Sequence, residues 1–134
     1  MSVLYPIGKK AILDGEVAML TDTIKAALVD TGVYTYSAAH DFLDDLTGIV
    51  GTAVTLGTKT TTAGVFDAAD STFTAVTGAT VEAIVIYKDT GGSPDTSQLL
   101  AYIDSGTGLP VTPNGGDITI AWNASGIFGI TDPA

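Results

Sequence analysis

The chain has 134 residues, the size of one ordinary domain with a core of its own, and its 15% charged residues fall well below the roughly 25% usual in soluble domains. A formal net charge of −10, with five lysines and no arginine, argues against a nucleic-acid partner, which needs cations to neutralise phosphates, and against an anionic membrane surface. The absence of cysteine excludes disulfides and thiolate metal sites.

Residues 1–10 read as an N-terminal arm, because Pro6 and Gly8 break regular structure and Lys9-Lys10 form the only basic pair. The arm is expected either to fray or to dock on a neighbouring molecule. Its candidate assembly contacts are Leu4, Tyr5, Ile7, Lys9 and Lys10. Residues 11–134 read as one β-rich domain. The N-terminus lacks the basic and long apolar regions of a signal peptide, and no run of about 18 apolar residues marks a membrane span, so synthesis in a cytoplasm, and residence there until assembly, is expected.

Ala11 to Leu20 has the composition of a short helix weakened at Gly15. Thr23 to Val29 alternates as a strand and stops at Asp30-Thr31-Gly32. Ser37 to Leu46 reads as a short helical turn capped by Ser37 or Asp41 and pinned by Phe42, Leu43 and Leu46. From Gly48 onward the chain is rich in Gly and Thr. Turn signals recur every 8–12 residues or so, the spacing of a sandwich or barrel. Val50–Leu56, Lys59–Phe66 and Thr72–Val76 are candidate strands. Val81 to Lys88 is the strongest, apolar on both faces, and is expected at the centre of a sheet covered on both sides. Gln98 to Asp104 follows. Pro110 and Pro113 keep the next segment out of a central strand, and Asn114-Gly115 signals a primed turn. In Asp117–Asn123, Ile118, Ile120 and Trp122 face inward. Ile127 to Ile130 ends the series. The fold class expected is mainly β, a single-domain antiparallel sandwich or barrel-like fold with one or two short helices near the N-terminus.

Few residues carry chemistry. His40 is the single histidine, and with Ser37 and Asp44 it makes a triad only on paper, since triads are set in space rather than by spacing. Asp41, Asp44 and Asp45, the pair Asp67 and Asp70, and the pair Asp89 and Asp95 raise calcium. None fits the EF-hand loop, and aspartates that cap helices and start turns explain them better. Asn123-Ala124-Ser125 matches the glycosylation sequon by composition alone. No phosphate-binding glycine loop is present. Trp122 with Phe73 and Phe128 suggests an aromatic sugar platform, but their inward strand positions favour core packing. No catalytic residue, cofactor or metal is expected.

Four segments together have a familiar order and content: Leu20-Thr21-Asp22-Thr23-Ile24-Lys25-Ala26-Ala27-Leu28-Val29-Asp30, Ala39-His40-Asp41-Phe42-Leu43-Asp44-Asp45, Glu82-Ala83-Ile84-Val85-Ile86-Tyr87-Lys88-Asp89-Thr90-Gly91, and residues 107–122, which hold Leu109-Pro110-Val111-Thr112-Pro113-Asn114-Gly115-Gly116. They resemble a family of small virion structural proteins of tailed bacteriophages and prophages, over nearly the whole chain from Tyr5 to Phe128. The resemblance implies a virion component, a decoration (cement) protein on the outer head surface, and carries over no catalytic residue. Its partner would be the major capsid protein, with self-association as a dimer or trimer. Two rivals stand beside this expectation: a tail or fibre-associated virion protein, and a carbohydrate-binding surface module.

Overall fold

A computed structural model describes residues 2–106 and 108–130. It is mainly β, with a five-stranded antiparallel sheet and two small two-stranded sheets. In chain order the elements are β1 (Ser2–Leu4), α1 (Pro6–Leu13), β2 (Ile24–Val29), β3 (Ile49–Thr55), β4 (Val65–Phe66), β5 (Ser71–Phe73), β6 (Ala83–Lys88), β7 (Leu99–Ile103), β8 (Ile118–Ile120) and β9 (Phe128–Gly129). The main sheet runs β1-β7-β6-β2-β3, and β4-β9 and β5-β8 form the small sheets.

Period-two alternation builds the core on both faces of this sheet. Ile24, Ala26, Leu28, Ile84 and Ile86 point to one side, where Phe66, Phe73, Ile118 and Ile120 from the small sheets, with Val76 just beyond β5, cover them. Ala27, Val29, Ala83, Val85 and Tyr87 point to the other, beneath Tyr5, Tyr34 and Leu46. β6 is therefore central and buried on both sides, as its two apolar faces imply. A register shift between β6 and β7 turns Leu100 and Ala101 to the same face, while Leu99 and Tyr102 serve the opposite one.

The N-terminus differs most from expectation. Residues 2–13 are not an arm but part of the domain. β1 pairs antiparallel with β7, Ser2 opposite Ile103 and Leu4 opposite Ala101. Pro6 starts α1 instead of breaking it. The first helical position needs no amide hydrogen bond, and proline's fixed φ suits it. The helix thus lies earlier than Ala11–Leu20 and ends before Gly15, whose φ of +78° is left-handed. Gly8 permits the close packing of α1 on β7: a Cβ there would lie 2.5 Å from the Leu99 carbonyl oxygen.

Three further expectations change. Only Val65–Phe66 of the Lys59–Phe66 stretch is a strand. Thr60 forms an isolated bridge with Asp67, and residues 62–64 coil around Ala63 at φ +54°. The strand expected over Thr72–Val76 closes at Phe73, because Ala75 adopts φ +49°. Asn114-Gly115 is not a two-residue primed turn. Gly115 has positive φ, but Asn114 does not, and Gly115 and Gly116 bond back to Val76. The helical turn over Ser37–Leu46 is real but short, a 3-10 turn over Leu43–Asp45 without a side-chain cap.

Candidate functional site

The single histidine ends a buried hydroxyl relay. Tyr5, fully buried at the exit of β1, shares a 2.8 Å hydrogen bond with the Tyr34 hydroxyl, which meets His40 Nδ1 at 2.8 Å. Burial first, then the Tyr34 hydroxyl, pushes the Tyr5 phenol far above its ordinary range. Burial also raises Tyr34. Tyr36 and Tyr102 pack beside them, with ring centroids 5.4 Å apart. Ser37 Oγ accepts the Ala39 amide hydrogen, and His40 Nδ1 is engaged by Tyr34, so the Ser37–His40–Asp44 triad is not assembled. The relay fixes the loop over the sheet.

Asp41, Asp44 and Asp45 do come together, with one carboxylate oxygen of each within 4.8 Å of the others. Their bonds are those of a turn. Asp45 Oδ2 accepts the Asp41 amide at 3.0 Å, while the Asp41 carbonyl accepts from Leu99 N and Gln98 Nε2. The Asp41 amide holds Asp45 below the usual carboxylate range; burial, then Asp45, raises Asp41. Asp67, Asp70 and Asp89 also accept from backbone amides, those of Ala68, Trp122 and Gly91 respectively. Asn123 accepts from Ser125 in the sequon.

The aromatic platform is absent. Phe73 is buried in the core, Phe128 packs on Phe66 at 5.3 Å, and Trp122 donates its indole hydrogen to Ser71 Oγ while resting on the core. Every buried side-chain nitrogen and oxygen among the described residues has a partner. An open candidate lies at the β1 edge of the sheet. α1, the outer edge of β1 and the segment around β9 bound a groove of about 410 Å³, lined by Leu4, Lys9, Ile12, Leu13, Phe128 and Ile130.

Of the five residues singled out in the sequence, Leu4 and Lys9 line this groove. Tyr5 is core, Ile7 is half-buried, and exposed Lys10 pairs with Asp14 along α1. Lys25 pairs with Asp89 at 2.9 Å, Lys88 with Asp22 at 3.2 Å, and Lys59 donates to the Asp22 carbonyl. Lys9 is the one lysine whose side chain has no hydrogen bond or ion pair among the described residues.

Sequence reasoning missed Leu13 and Ile130, which are 78% and 66% exposed on the groove's rim. A helix one turn earlier than expected carries Leu13 to its exposed end. A second shallow cleft opens where β3 starts, lined by Asp30, Val33, Gly48 and Ile49 among others. Val33 and Ile49 are 62% and 41% exposed there. No helix among the described residues is long and apolar enough to cross a membrane. In comparisons with known proteins, the chain matches no family model and no curated protein.

Proposed function

We propose that this chain is a non-enzymatic virion structural protein of a tailed phage, a capsid decoration protein that binds the outer head surface and stabilises it. The observation that carries the assembly part of this reading is the surface. Four large apolar side chains, Leu13, Val33, Ile49 and Ile130, stand exposed in two clefts. They do so on a body whose few lysines, Lys9 apart, are already engaged. An acidic chain of low charge density stays dissolved at high concentration yet offers apolar surface to be covered in an assembly. The four segments that resemble phage virion proteins supply the phage head as the setting. Two of them build the adjacent central strands β2 and β6, and a third packs the turn at Leu43–Asp45 near them. The single histidine is occupied inside a structural relay, which supports a role without catalysis.

The test is to add purified protein to heads lacking it and count bound copies. Hundreds per head support decoration; a handful at one vertex supports a tail-associated role instead. Deleting residues 1–10 is unsuitable as a probe of shell contact. It removes β1 and five of the eight residues of α1, so lost binding would report lost folding.

A further inference from the structure

We infer that copies of this chain join head to tail, with the exposed apolar side chains at the groove beside β1 of one copy packing against those at the cleft at the start of β3 of the next. The inference deepens the proposed assembly role and rests on it only for its biological setting. Among the described residues, four of the five exposed large hydrophobic residues fall into these two places; the fifth, Leu20, lines neither. The places lie at the two opposite edges of one sheet, since β1 and β3 are its outer strands. At about 4.8 Å per strand the edges are roughly 19 Å apart, so one molecule can engage two neighbours at once.

Charge decides how copies meet. The β1 groove carries Lys9, and the β3 cleft carries Asp30, whose Oδ1 accepts the Gly32 amide at 2.7 Å. Neither residue forms an ion pair among the described residues. A contact of either patch with its own copy about a twofold axis would bring Lys9 toward Lys9 or Asp30 toward Asp30. Joining unlike patches brings Lys9 toward Asp30 and covers apolar side chains on both sides. Between bodies that each carry −10, a contact of unlike charges is the arrangement that offsets the general repulsion. Unlike patches on identical copies give a ring if the rotation closes and a filament if it does not.

Light scattering on the purified full chain tests this. The wild type should grow beyond its 13.6 kDa monomer as concentration rises. Leu13→Asp and Ile49→Asp should each be monomeric, with circular dichroism and melting point close to wild type. Mixed in equal amounts they should form a dimer and stop there, because each supplies the patch the other lacks. Lys9→Glu should raise the association midpoint roughly tenfold, and adding Asp30→Lys should restore it. A wild type that stays monomeric at millimolar concentration overturns the inference. So does a mixture of the two aspartate variants that remains monomeric, and so does either variant that still dimerises on its own, the mark of a like-to-like contact. Monomeric protein that still coats heads sinks this inference and leaves decoration standing; assembly without head binding does the reverse.

Discussion

The Tyr5 hydroxyl sits where the sheet is closed to solvent, and Tyr34 links it to His40. Removing it in Tyr5→Phe leaves the Tyr34–His40 bond in place, so a loss of about 1 kcal/mol is expected, read from urea unfolding. Burial raises Tyr5, Tyr34, Tyr87 and Tyr102, so the fold favours their protonated forms. The stability this confers is fully present below the unfolded tyrosine value near 10 and is lost as pH rises above it. The melting temperature should therefore fall steeply from about pH 10 upward. Tyrosinate absorbance should appear together with unfolding; free titration of these phenols near pH 10 in a folded protein would contradict the account. Gly8 gives a prediction whose sign is set by magnitude. Ala in a helix is usually better than Gly by 0.5–1 kcal/mol. Here its Cβ would meet the Leu99 carbonyl at 2.5 Å, and overpacking costs about 1–3 kcal/mol. Gly8→Ala should destabilise, and a raised melting point would show that α1 can shift away from β7.

At the scale of elements, ion pairs tie loops to the ends of β2 and β6. Lys25 and the Gly91 amide hold Asp89 below the usual carboxylate range; the Ala18 amide and Lys88 hold Asp22 there. For depressed carboxylates the stability is present above the unfolded value near 4 and lost as pH falls through the folded values. Raised Asp41 acts in the opposite sense but stands alone against Asp22, Asp45 and Asp89. Stability should therefore fall below about pH 4. Asp89→Asn should flatten that fall, as followed by thermal melts between pH 2 and 6; an unchanged slope would show that the Lys25–Asp89 pair contributes nothing. The strands that carry this core were legible. β2, β6 and β7 follow from alternation, and the central place of β6 from its two apolar faces. The N-terminal elements were not legible. A proline that breaks a helix interior is favoured at its first position, and only the pairing of β1 with β7 decides between the two. The short strands β4 and β5 were overestimated because Ala63 and Ala75 take left-handed conformations that composition does not signal. In the groove, Leu4 and Lys9 were named in advance, whereas Ile130 meets α1 only through long-range folding.

On the scale of the whole molecule, a two-faced core closes the sheet, and four of the five exposed large hydrophobic residues among the described residues stand at its two edges. In the proposed role, an acidic chain binding through small apolar patches would gain strength from copy number rather than from any one contact. Exposed-site variants separate these roles. Leu13→Asp should change the melting point by less than about 0.5 kcal/mol in stability terms, as surface substitutions do, while lowering the density of protein on heads. Equal density with the variant would remove the groove from the assembly. The central claim is met most directly by counting copies of purified wild-type protein on imaged heads that lack it. The account predicts hundreds of copies in a regular arrangement over the outer surface; heads that stay bare, or that bind a handful at a single vertex, would contradict it.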